Sequence, residues 1–417
     1  MTASEDRTLP ATPGGFRPLY VCRHVRLRLC ADACPNTWDE LRYRLTIGHM
    51  TPPSRFIALL VVLSECAGNS SDADTTAVSQ TTPPTISPTT RTTQTPGTTA
   101  LTEVPTTAPT TAQPIPAFEM ELVAYPVPEG SRPHDVAPAV DGGIWYTAQG
   151  SGELGWLDPE TGQTRHFPLG AGSRPHGVIV DPDGAPWITD SGLNAIVRVD
   201  PLTGDVDHFQ LPSDRPDANL NTAAFDSTGR LWFTGQNGIH GVLDPANEAM
   251  EVFDSPRGRG PYGIASTPSG QIYYASLAGS YVGLVAPDGS VTVLEPPTAS
   301  QGARRVWSDS NGSIWVSEWN AGQLSRYEPP DNEWTTWPLP GDRPEAYAVF
   351  VDDTDIVWVS DFGGNAIHRF DPSSQTFDTF DLPSNPGNVR QLLGRPGEIW
   401  GAESAADQLI VIRRTSR

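Results

Sequence analysis

RPHGVIVDPDGAPWITDSGLNAIVRVDPLTGDVDHFQLP, residues 174–212, is one full copy of the unit from which most of this chain is built. Four short β-prone runs alternate with turn signals. HGVIVD leads into Pro182-Asp183-Gly184, a tight-hairpin sequence, and then into the strand Pro186-Trp187-Ile188-Thr189. AIVRVD follows, and Asp200-Pro201 with Thr203-Gly204 turns the chain into VDHFQLP. The core of the unit is an aromatic residue, a spacer and a small or hydroxyl residue. It recurs at Trp145, Trp187, Trp232, Tyr273, Trp315, Trp358 and Trp400, every 41 to 45 residues. A period of this length with four strands per copy predicts one propeller blade per repeat. The chain is therefore expected to be all-β, with residues 117–417 forming a seven-bladed β-propeller of four-stranded antiparallel blades. A blade cannot bury both its faces alone. Radial stacking buries them, and the aromatic anchors fill the space between neighbouring sheets.

The last repeat ends in QLIVIRR without a fourth strand, whereas Phe118–Tyr125, ahead of the first repeat, has strand character. This N-terminal strand is expected to join the last blade and close the ring, which removes exposed sheet edges.

All 27 basic residues are Arg, and the net charge is −22. Residues 1–116 carry 9 Arg and 9 acids, and the remainder 18 Arg and 40 acids, so the excess lies entirely on the repeats. Such a field repels DNA, RNA and anionic lipid, excludes most nucleic-acid roles, and favours cations, or neutral and basic ligands. Cys22, Cys30, Cys34 and Cys66 all precede the repeats, so the propeller uses neither disulfides nor thiol chemistry.

Residues 1–49 are Arg-rich and aperiodic, and are expected to be a disordered start-site extension ahead of a true initiator at Met50. From there Arg55, the apolar run Phe56–Leu63 and a small polar region read as a signal peptide over 50–66. Leu63-Ser64-Glu65-Cys66 is similar to a bacterial lipobox, although Glu65 stands where a small residue is usual. Lipidation at Cys66, or plain secretion, would carry the protein out of the cytoplasm. Residues 67–116 are dominated by Thr, Pro, Ser and Ala and cannot bury a core, so they read as a disordered stalk.

In a propeller the inner strands line a central channel, and the loops at one mouth carry function. Two positions per blade are expected there. The first, eleven residues before the anchor, holds His134, His176, Asn221, Tyr262, Arg304 and Tyr347, with Arg390 the equivalent in the last blade, where the turn is one residue shorter. The second, three residues after the anchor, holds Ala148, Asp190, Gly235, Ser276, Glu318, Asp361 and Glu403. A constant framework with chemically varied positions is the pattern of a polar binding site. The plainer alternatives are imidazoles that cap inner strands and acids that balance Arg304 and Arg390. Clustered carboxylates also suit Mg²⁺ or Ca²⁺. No phosphate loop or nucleophilic Ser–His arrangement is present.

RPH-G-V, W-I-T-D and NAIVRVD, with WVSEWNAGQLSR and WVSDFGGNAIHR, resemble the streptogramin B (virginiamycin B) lyase family over residues 118–417. The resemblance implies a seven-bladed propeller that opens cyclic depsipeptides by elimination at the ester, without water, using Mg²⁺. It also implies a His in a PH motif paired with a Glu fourteen residues later in W-x-T-E. A base near neutrality takes the proton beside a carbonyl, and an acid or metal stabilises the developing charge. Here Glu318 is preceded at that spacing by Arg304, Asp361 by Tyr347, and Asp190 by His176, while His134 stands opposite Ala148. No blade holds both family residues.

Three functions remain open on the sequence. The first is an extracytoplasmic carbon–oxygen lyase with His176 as base, Asp190 and Glu318 assisting, Glu318 and Asp361 holding the metal, and Arg304 or Arg390 polarising a carbonyl. The ring residues His134, Asn221, Tyr262, Tyr347 and Glu403 would contact the substrate. The second is a monomeric, non-catalytic propeller displayed on its stalk, holding a small molecule, depsipeptide or cell-wall fragment. The third is a gluconolactonase-type lactonase with a central Ca²⁺.

Overall fold

The computed structural model describes residues 119–415. The expected extension, signal peptide, Cys66 and stalk lie outside that range. Seven four-stranded antiparallel sheets follow one another along the chain. Their inner strands are Pro133–Pro138, Pro175–Val180, Leu220–Phe225, Pro261–Ser266, Ala303–Ser308, Ala346–Val351 and Val389–Arg395, here blades one to seven. Met120–Pro126 pairs antiparallel with Gln408–Arg414 as the outer strand of blade seven, which closes the ring as expected. The seam is tied further by Arg413 to Glu121 at 2.7 Å. Asp407 accepts the backbone N–H of Gly130 (2.8 Å) and of Arg132 (2.6 Å).

The anchors Trp145, Trp187, Trp232, Tyr273, Trp315, Trp358 and Trp400 are buried between sheets. In four of them the indole N–H donates to an aspartate six residues earlier: Trp187 to Asp181, Trp232 to Asp226, Trp315 to Asp309 and Trp358 to Asp352. The other oxygen of each aspartate accepts N–H groups of the hairpin it starts, so one carboxylate fixes both turn and anchor.

Two local devices aim side chains at the axis. Every inner strand bulges beside the residue that pairs with the second sequence position: Pro133 pairs with Ala148, Pro175 with Asp190, Val389 with Glu403, and the register then shifts. The bulge re-aims the next two residues toward the channel. The hydroxyl of the repeat motif then latches neighbouring blades. Thr189 Oγ1 accepts the Gly177 N–H at 2.9 Å and donates to the Asn221 carbonyl of blade three at 2.6 Å. Thr147, Thr234, Ser317 and Ser360 donate in the same way to the carbonyls of His176, Tyr262, Tyr347 and Val389. Blades four and seven have Ala275 and Ala402 in this place. Ile179, Ile264, Val306, Val349 and Leu392 line a cavity of about 20 Å³, room for about one water. The mouth ringed by the first-position residues forms a cup.

Candidate functional site

The seven first-position residues meet in that cup. The His134 and His176 rings lie 3.9 Å apart between centroids, and the Asn221 amide donates to His176 Nε2 at 3.3 Å. His176 is edge-on to Tyr262, whose hydroxyl lies 2.5 Å from that of Tyr347. Arg304 donates to the Tyr262 hydroxyl at 3.2 Å, and its guanidinium stacks 3.6 Å over the Tyr347 ring. Arg390 donates to the Tyr347 hydroxyl at 3.3 Å and completes the circle.

The bulge adds residues that the repeat spacing gave no reason to suspect. Asp135, directly after His134, is fully buried and accepts from His134 Nδ1 at 2.7 Å. It also receives Arg305 from across the channel, with nitrogen–oxygen contacts of 3.1 to 3.4 Å. Arg305 fits because the neighbouring blade carries Gly263, where a Cβ would lie 2.6 Å from the Arg305 Cα. His134 therefore has an acid of its own blade after all, one residue away rather than fourteen. Trp319 lies against Arg304 at 4.4 Å, and Phe362 stacks on Tyr347 with centroids 4.6 Å apart. The one available signal for these two was that the residue after the second position is aromatic in blades five and six alone.

The second-position acids do not enter the cup. Asp190 is held by Ser173 and by the N–H groups of Arg174, Gly192 and Leu193. Glu318 accepts from Ser325 at 2.6 Å and Gln323 at 2.5 Å. Asp361 accepts the Glu345 N–H at 2.7 Å and contacts His368 at 3.3 Å. Glu403 accepts from Gln408. Each is at most 1% exposed and acts one strand outward, where Asp190 and Asp361 hold loop N–H groups and Glu318 and Glu403 bond to the third strand of their own blade.

The electrostatics follow from burial and from three guanidiniums. Burial, then Arg390, Arg305 and Arg304, hold His134 well below its usual 6.5. Burial and His134 do the same to His176. Both imidazoles are neutral at pH 7. With Nδ1–H given to Asp135, His134 keeps a lone pair on Nε2. His176, whose Nε2 takes the Asn221 amide, carries its proton on Nδ1, a buried atom without a protein partner. Burial drives Asp135 up against the pull of Arg305. At Tyr347 burial acts upward, but Arg304, Arg390 and Arg305 outweigh it and bring the phenol down to about 7, while Tyr262 is pushed up by burial.

His134, Asp135 and His176 bring ligand atoms within 4.8 Å of one another. This N,N,O set does not fit Mg²⁺ or Ca²⁺, which take oxygen donors. Arg305 already occupies both oxygens of Asp135, and Glu318 and Asp361 are bonded elsewhere.

The virginiamycin B lyase family profile matches residues 120–412. No curated protein matches the sequence significantly. Among solved structures a streptogramin B lyase is similar at 20% identity, covering 71% of this chain and 98% of that one, with a TM-score of 0.66. A catalytically inactive virginiamycin B lyase variant from Staphylococcus aureus, solved with quinupristin, is similar at 18% identity, 71% and 100% coverage and a TM-score of 0.66. The extracellular domain of a hybrid two-component system from B. thetaiotaomicron is similar at 17% identity over 70% of this chain and 42% of that one, with a TM-score of 0.55. These structures share the fold, and the profile match over seven complete blades shows that the chain belongs to the virginiamycin B lyase family.

Proposed function

We propose that the protein is an extracytoplasmic carbon–oxygen lyase whose active site is the cup, with His134 rather than His176 as the base. The observation that carries this reading is the Asp135–His134 pair: a buried carboxylate fixes Nδ1–H and leaves Nε2 open, so the base is neutral and oriented. Nε2 would take the proton on the carbon beside a carbonyl. As that C–H bond breaks, a carbon–carbon double bond forms, the C–O bond one carbon further breaks, and the leaving oxygen departs with its electron pair. No water is consumed. Arg304 and Arg390 would polarise the carbonyl, and His176 Nδ1–H offers a further donor. No step needs a metal, and the cup's donors do not suit Mg²⁺. Similarity to the extracellular domain of a two-component system supports placement outside the cytoplasm. Incubation of the full-length protein with a streptogramin B depsipeptide, followed by mass spectrometry, tests the reading. A ring-opened product of unchanged mass that His134→Ala no longer forms supports it. A product heavier by one water, or turnover undiminished in His134→Ala, overturns it.

One observation favours recognition without chemistry as a second reading. The acids that the family motif would recruit are spent on bonds within their own blades.

A further inference from the structure

We infer that the cup takes a ligand bearing a carboxylate, held between the guanidiniums of Arg304 and Arg390. This rests on the cup being the functional site and narrows what enters it. A cyclic depsipeptide supplies such a group as its leaving carboxylate, which departs with the electron pair of the broken ester C–O bond.

The argument is one of unmatched charge. Three guanidiniums converge on the cup and one carboxylate faces them, that of Asp135. Arg305 claims it through both terminal nitrogens, and His134 takes one of its oxygens as well. Among the described residues no carboxylate oxygen lies within 4.0 Å of Arg304 or Arg390. Their neighbours are instead aromatic faces and phenol oxygens: Tyr262, Tyr347 and Trp319 around Arg304, and Tyr347, Phe362 and Ser404 around Arg390. Withdrawing a guanidinium from water is costly unless an anion replaces the lost solvation. Ionisation of Tyr347 can offset one of the two charges, but not both. Arg304 Nε is a buried donor without a protein acceptor, and so is His176 Nδ1 across the cup. Both await an acceptor from outside the fold.

The half-buried rings of Trp319 and Phe362 beside the guanidiniums suit a planar, delocalised group. Carboxylate answers to this and to the bidentate geometry of arginine better than a tetrahedral oxyanion does.

Calorimetric titration of the full-length protein with benzoate, benzamide and inorganic phosphate tests the inference. Benzoate is expected to bind at least about tenfold more tightly than benzamide. Arg304→Gln is expected to abolish that preference, while Arg369→Gln, on an outer strand of blade six and paired with Asp378, keeps it. Thermal melting of each variant separates lost binding from lost folding, and Arg390→Gln gives a second variant should Arg304→Gln fail to fold. Equal affinity for benzoate and benzamide, binding of neither, or binding of phosphate alone would overturn the inference. Elimination by His134 would then stand on its own assay. Benzoate binding through Arg304 in a protein that eliminates from no ester would instead sink the proposed lyase and leave an acid-recognising propeller.

Discussion

In blades two, five, six and seven the mouth residue and the acid one strand further out occupy the same end, since each acid pairs with the residue just before a mouth residue. Their fates differ completely. His176, Tyr262, Arg304, Tyr347 and Arg390 bond to ring neighbours across blades, His134 bonds to Asp135 beside it, and several donors are left over. Asp190, Glu318 and Asp361 bond within their own blade. The inner-strand bulge makes the difference, because it turns two consecutive side chains to the axis while the second strand continues its regular alternation. The outer acids therefore hold the scaffold, and the inner ring is free to bind and react.

The sharpest test of that division is His134→Ala. If the inner ring does the chemistry, kcat in the depsipeptide assay should fall by about 10²–10⁴-fold, with little change in melting temperature. His176→Ala should cost less, because its Nε2 is already occupied by Asn221. Equal losses in the two variants would return the base to His176 and undo the role given to Asp135.

Acid should break the ring before it breaks the outer row. His134 and His176 sit well below their ordinary 6.5, chiefly through burial. Below pH 6.5 the unfolded chain takes up protons that the folded one refuses. The stability these groups contribute is thus complete above pH 6.5 and is lost as pH falls toward their folded values. Each costs up to about 1.4 kcal/mol per pH unit in that window. Asp135 and Glu318, both raised by burial, act in the opposite sense and trim the slope. The contribution of Tyr347, depressed to about 7, is built up above that pH and adds little to the change. Urea unfolding at pH 7, 6 and 5 reads the effect, and His176→Asn should roughly halve it. A flat profile would mean solvated imidazoles and no desolvated cup.

The architecture was legible because it is written in repeats: anchors, Asp-led turns and a missing last strand dictate seven blades and their closure. The ring residues were legible too, by counting back from each anchor, and the pairing of Val389 with Glu403 confirms the one-residue adjustment that selects Arg390. What spacing could not convey was direction. Two residues per blade turn inward where regular alternation allows one, so Asp135 and Arg305 went unseen, and the second-position acids were given a mouth they do not face. Charge misled in a similar way. A chain of net charge −22 suggested cations, yet its cup gathers three arginines against one aspartate.

Asp190→Ala probes the scaffold side. Ser173 and three backbone N–H groups lose their acceptor at a fully buried position, which should cost about 2–3 kcal/mol of unfolding free energy. Benzoate affinity should hardly move at temperatures where the variant stays folded. A loss of affinity with unchanged stability would put Asp190 back into the site and erase the division between the two rows.

Thr189→Val reaches the boundary between them. The hydroxyl takes the Gly177 N–H of its own bulge and gives its proton to the Asn221 carbonyl of the next blade, so it belongs to the scaffold yet sets the spacing of His176 and Asn221. Valine keeps the shape and strands a buried donor and acceptor, at about 1–2 kcal/mol. Because the space beside Gly177 is already closed, with a Cβ there falling 2.8 Å from both partners, the blades cannot slide together to restore the bonds. The loss should therefore register twice: as a small drop in stability, and as weakened benzoate binding through the loosened His176–Asn221 contact. Ala275→Val, in a blade that closes without the latch, replaces no hydroxyl and supplies the packing control. If the two valines behave alike, the latch is packing alone, and the bulge by itself must hold the ring in register.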